Sequence, residues 1–165
     1  MRRGLLAVAV VLTALLVQAV IVNRLHLPGG WPDLPLLVVV GFALVGGPTY
    51  GVVLGFSTGL AADLLPPADH TLGRLALAYA VVGYLAGLIE DVEERSVITT
   101  VAVVAVTSGA AVILFSAVGG LVGDGRITAH AVGRSLVATV IYDVVLAPFV
   151  VPLIASAVRR TEPAA

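Results

Sequence analysis

Five long stretches of this chain carry almost no charge, and that decides the solvent in which it folds. Residues 4–23, 34–62, 75–89 and 96–123 contain no Asp, Glu, Lys or Arg, and 135–158 contain Asp143 alone. A charge at the centre of a membrane span costs about 2.5–3.5 kcal/mol on insertion scales, so gaps of this length mark spans. Charged residues make up 12% of the 165, against about 25% in a soluble domain. The sequence reads as one transmembrane domain, residues 1–165, of an all-α integral membrane protein.

A spanning helix needs about 20 apolar residues. Residues 4–23, 72–89, 97–122 and 135–158 each fit one. The gap at 34–62 does not, because a single helix there would run about 43 Å against a hydrocarbon core of about 30 Å. Gly46-Gly47-Pro48 interrupts it. Pro48 has no N–H for the helix ladder and disfavours helical geometry at Gly47. The sequence therefore predicts two short helices, 34–46 and 49–65, with a re-entrant hairpin as the alternative, and a six-helix bundle in all. Arg2 and Arg3 precede the first span while Arg159 and Arg160 follow the last, which places both termini in the cytoplasm by the positive-inside rule. The first apolar region is too long for a signal peptide and no A-x-A pattern follows it, so it is expected to stay as the first helix.

Several function classes find no footing in these residues. A net charge of −1 gives no basic face for nucleic acid. Without cysteine there is no disulfide framework, thiolate metal site or thiol nucleophile. His26, His70 and His130 fall in separate loops without H-x-x-H spacing, so no metal site is expected. Ser57, Ser108, Ser116, Ser135 and Ser156 lack a nucleophile-elbow context, and no phosphate-cradling glycine loop occurs. The expectation is a protein with no catalytic residues and no cofactor.

What stands out is glycine spacing. Gly47, Gly51, Gly55 and Gly59 recur every four residues, with Asp63 one step further on. Four residues turn a helix by about 400°, so these positions form one stripe. Such a stripe lets another backbone approach closely. Gly83 and Gly87 supply a second small-residue site, so the two can pair within the chain; a homodimer face or a contact with a partner's span is the alternative. Asp63 is expected to stop its span and pair with Arg74, which could equally reach Asp69.

Asp143 lies eight residues into the last span, about 12 Å along its axis. Intramembrane carboxylates face a bundle interior and have a partner. Candidates are Thr139, Tyr79, Tyr84, Thr99, Thr100, Thr107 and Ser108, with interhelical hydrogen bonding favoured over a proton relay. The acidic run 90–95 (EDVEER) reads as a solvated cytoplasmic loop, or as a dock for a basic partner. Pro148 and Pro152 are expected to kink the last span.

The run GVVLGFSTGLAADLLPPADHTLGRLALAYAVVGYLAG, residues 51–87, resembles the central signature of the rod shape-determining protein MreD family. That signature is a Gly-x3-Gly-x3-Gly helix running into Asp-Leu-Leu, a short outer loop, Leu-Gly, and a span with Tyr-Leu near its end. Here these are Gly51, Gly55, Gly59, Asp63, Leu64, Leu65, Leu72, Gly73, Tyr84 and Leu85. Pro32-Asp33-Leu34-Pro35-Leu36-Leu37 is similar to the family's approach to its second helix. The resemblance implies a non-enzymatic component of the bacterial inner membrane that takes part in regulating cell shape and lateral cell-wall (peptidoglycan) synthesis. Its implied partners are the bitopic protein MreC, the actin-like protein MreB, cell-wall synthesis enzymes and membrane lipids. The implied fold is also similar to the substrate-binding subunits of energy-coupling-factor vitamin transporters.

Two readings follow. In the first, the chain is a scaffold that holds membrane proteins in register. In the second, it is a vitamin-binding transporter subunit or a lipid-binding subunit with a pocket among its helices. Such a pocket needs convergent polar and aromatic groups. Trp31, four Tyr and four Phe, with few polar residues at membrane depth, make sparse material, and the scaffold is preferred.

Overall fold

The apolar stretches fold as helices. The computed structural model describes residues 2–25, 27–66, 71–89 and 96–161. Helix α1 is Arg2–Val20, and a turn of 3-10 helix, Val22–Arg24, follows it. The remaining helices are α2 (Leu34–Leu64), α3 (Arg74–Gly87), α4 (Val97–Leu121) and α5 (Ala129–Arg159). Helices α2, α4 and α5, and α1 together with its 3-10 extension, are long and apolar enough to cross a membrane. The chain is a multi-pass membrane protein.

Among the described residues the helices number five, not the expected six. The element α2 runs through both 34–46 and 49–65, but these are two helical arms parted where expected, at Gly47 (φ 81°, ψ 178°), whose backbone is not helical. Positive φ is strained for residues with a Cβ and open to glycine; Pro48 removes the donor that would carry the ladder across. Beyond the kink the two arms lean together. A Cβ placed on Gly51 would lie 2.9 Å from the Cβ of Ala43, and the Phe42 and Tyr50 rings are 6.3 Å apart, whereas eight residues of straight helix span about 12 Å. Helix α3 is shorter than the expected span 72–89. Its 14 residues cover about 21 Å, less than a full crossing. Helix α5 starts earlier than 135, at Ala129, because the Thr128 side chain accepts from the Ala131 N–H and caps it there. It then continues as helix through Pro148 and Pro152.

The first arm of α2 is the centre of the bundle. Every residue from Pro35 to Leu44 is buried, as fits a helix that is apolar all round. Leu36, Val39, Val40 and Ala43 pack with Ala78 and Val82 of α3, Val104 of α4, and Ala147 and Val151 of α5. Val38 and Phe42 turn instead to Ala7, Val11 and Leu15 of α1 and to Ile154 and Val158 of α5. Outward, Leu5, Leu12, Leu16, Ile98, Leu121, Phe149 and Leu153 are exposed. An apolar exterior of this extent suits acyl chains rather than water. Some hydroxyls within the helices bond back to their own turns, as Thr13 does to the Ala9 carbonyl and Ser57 to that of Val53.

Glycine joins the second arm of α2 to α3. A Cβ on Gly51 would collide with the Gly83 carbonyl, one on Gly55 with the Tyr79 carbonyl, and one on Gly59 with the Leu75 carbonyl. On the other side, a Cβ on Gly87 would come within 2.5 Å of the Gly47 and Pro48 backbone. Each step of four along α2 is matched by a step of four backwards along α3, the signature of antiparallel helices in backbone contact. Gly47 thus leaves the stripe to become the kink, while Gly51, Gly55, Gly59, Gly83 and Gly87 form the packing face within one chain.

Overpacking a close interface costs about 1–3 kcal/mol. Gly55→Ala should therefore lower the thermal unfolding midpoint in detergent. Gly133→Ala, where an added Cβ meets nothing within 4 Å, should leave it unchanged or raise it. Equal midpoints for both variants would remove the glycine contact from the account.

Candidate functional site

A helix leaves its first N–H groups without intrahelical partners, and inside a membrane protein water is not there to take them. At α2 this is solved by side chains from two other helices and by the cap residue itself. The Asp33 N–H donates to Asp143 Oδ1 of α5 (2.7 Å), and the Leu34 N–H to Gln18 Oε1 of α1 (3.1 Å). Pro35 has no N–H, and the Leu36 N–H donates to Asp33 Oδ1 (3.1 Å). Carboxylates at this end also meet the positive pole of the helix.

The same two carboxylates gather hydroxyls. The Tyr79 hydroxyl of α3 donates to both oxygens of Asp33 (2.6 and 2.7 Å). Ser108 of α4 donates to Asp143 Oδ2 (2.6 Å). Tyr79 is 2% exposed, while Ser108 and Asp143 are fully buried. Of the expected partners of Asp143, Ser108 is the one found. Thr107 bonds its own helix at Val103 and Val104, and Thr139 donates to the Trp31 carbonyl (3.3 Å). The backbone of Asp33 was not among the candidates.

Asp63 closes α3 in the same manner. Its carboxylate accepts from the N–H groups of Gly73 (2.8 Å), Leu75 (3.2 Å) and Ala76 (3.2 Å). Gly73 stands at φ 93° as the N-cap, a left-handed turn that glycine adopts readily. The expected Asp63–Arg74 pair is therefore replaced: Asp63 serves the backbone and Arg74 turns to α4. Arg74, 1% exposed, puts Nη1 on Asp124 Oδ2 (2.9 Å), and Nε and Nη2 on the Phe115 carbonyl (3.3 and 3.0 Å). Its guanidinium lies 3.9 Å from the Phe115 ring centroid. Gly119 makes room, since a Cβ there would collide with the guanidinium. In the loop between α4 and α5, Arg126 first, then Arg74, hold the Asp124 carboxyl well below the usual carboxylate range by hydrogen bonding. Asp69, His26, His70 and the run 90–95 lie outside the described residues; His130 is exposed.

These groups border a cavity of about 540 Å³ at the end of the bundle remote from Arg3 and Tyr50. All five helices line it. The buried Tyr79, Ser108 and Thr139 and the half-buried Asp33 form its inner side. Leu15, Leu75, Ala111, Phe115 and Val132 give apolar walls, and the exposed Trp31 and Arg126 also line it. The polar material that looks scattered in sequence is thus brought together. Asp33 carried a legible signal, an Asp two residues before a helical Pro, which marks an N-cap. Asp124 and Gln18 carried none. Among the described residues, no three His, Asp or Glu gather as a metal site.

Compared with family models, curated proteins and solved structures, the chain matches none.

Asparagine at 143 can keep both contacts, its Oδ1 on the Asp33 N–H and its amide on Ser108. Asp143→Asn should therefore fold with a nearly unchanged midpoint. Asp143→Leu strands a buried N–H, at about 1–3 kcal/mol, and should unfold earlier. An Asp143→Asn chain as unstable as Asp143→Leu would show that the charge itself holds the bundle. Asp63→Ala, which removes one acceptor for three N–H groups, should cost at least the about 0.5–2 kcal/mol of an ordinary lost cap.

Proposed function

We propose that this chain is a non-enzymatic scaffold of the bacterial inner membrane, of the MreD type, that holds the machinery for lateral cell-wall synthesis in register and so maintains rod shape. The observation that carries the reading is how the segment resembling that family is used. From Gly51 to Gly87 its conspicuous residues serve construction: glycines bring α2 and α3 into contact, Asp63 caps α3, and Arg74 ties α3 to α4. A segment given over to architecture suits a rigid platform more than a reaction centre.

The glycine faces are filled from within, so partners meet other surfaces. Helix α1 is the most open of these, with Leu5, Val8, Leu12 and Leu16 all more than half exposed. A single span such as that of MreC docks there, and MreB and the cell-wall enzymes are reached through it or through the cytoplasmic loops. Both termini lie in the cytoplasm in this arrangement.

The test is depletion of the protein in its native cell, with cell width followed by imaging. Widening and rounding are the expected outcome, together with co-purification of a bitopic partner that is weakened by Leu12→Trp on α1. Cells that keep their width but acquire a vitamin requirement would overturn the scaffold in favour of a transporter subunit.

A further inference from the structure

The geometry points to the cavity between the five helices as a binding site for a primary ammonium group carried on an apolar body. This does not depend on the scaffold reading. The protons left free in the cavity decide what it can hold. The Tyr79 proton is committed to Asp33, that of Ser108 to Asp143, and that of Thr139 to the Trp31 carbonyl. Each of these oxygens keeps lone pairs, and Asp33 Oδ2, with one donor, has acceptor capacity to spare. The inner side of the cavity therefore offers acceptors and has its own donors already spent. A ligand that meets Asp33, Tyr79, Ser108 and Thr139 must bring protons.

Charge sharpens the choice. Asp33 and Asp143 take hydrogen bonds from neutral donors, the N–H groups of Leu36 and Asp33 and the hydroxyls of Tyr79 and Ser108. The cations near the cavity are used elsewhere: Arg74 lies on Asp124 and the Phe115 carbonyl, and Arg126 on Asp124. An ammonium meets this lack, with three donors for three or more acceptors. The walls, Leu15, Leu75, Ala111, Phe115 and Val132, take an alkyl or aryl body. A volume of about 540 Å³ lies within the range of small-molecule sites. The ammonium can come from a free amine or from an ethanolamine lipid headgroup.

Trp31 borders the cavity and is the chain's single tryptophan, so binding can be read without a label. The full chain, in phosphatidylcholine nanodiscs, is titrated with 2-phenylethylamine and with its neutral counterpart 2-phenylethanol while Trp31 emission is followed. A saturable change with the amine, at least tenfold weaker with the alcohol, is expected. Asp33→Asn should weaken the amine at least tenfold. Should that variant fail to fold, Ala131→Phe, at an exposed position on the cavity wall, fills the site and should abolish the response. Nanodiscs containing phosphatidylethanolamine distinguish the sources: suppression of the amine response assigns the site to the lipid headgroup, and an unchanged response assigns it to a free amine. No saturable change, equal responses to amine and alcohol, or wild-type binding by Ala131→Phe would overturn the proposal.

Discussion

A helix that begins inside a membrane bundle must find acceptors for its first N–H groups, and this bundle supplies them from other helices. Asp143 and Gln18 close α2; Asp63 closes α3. In water these ends would be solvated at little cost. In a bilayer an unsatisfied N–H is expensive, so the acceptor side chains become structural joints. Each also fixes a relation between helices: α5 to α2, α1 to α2, and the end of α2 to the start of α3. The polar residues at membrane depth are few, and they are the residues that set the topology.

Between these joints, packing is done by small side chains. The α2–α3 contact is backbone on backbone because glycine repeats every four residues on one helix against Leu75, Tyr79, Gly83 and Gly87 on the other. Lipid tails are as apolar as leucine, so helices gain little by burying leucine against each other. They gain by close approach. That is why a helix as short as α3 can be held firmly, and why the large apolar side chains of α1, α4 and α5 are left facing outward.

The capping arrangement has a chemical consequence. The hydroxyl protons of Tyr79 and Ser108 are drawn inward to the carboxylates, and these side chains present acceptors to the inner side of the cavity. A device that stabilises the fold thereby sets the polarity of the space it encloses. Arg74 and Arg126, which could have neutralised that space, are held by Asp124 on the loop between α4 and α5.

The membrane class, the apolar helices and the break at Gly47-Pro48 were all legible in the sequence. They follow from charge cost, span length and the missing proline donor, which are local properties. The pairing of Gly51, Gly55 and Gly59 with Gly83 and Gly87 was legible as one of two alternatives, since spacing shows a face but not its neighbour. Tertiary structure alone decided that the arms on either side of Gly47 lean against each other. It also decided that Arg74 takes Asp124 rather than Asp63, and that Asp143 caps a helix more than a hundred residues away. Such contacts depend on which helix ends meet in space. A lone carboxylate in an apolar run announces that it needs a donor, and the folded chain determines which donor arrives.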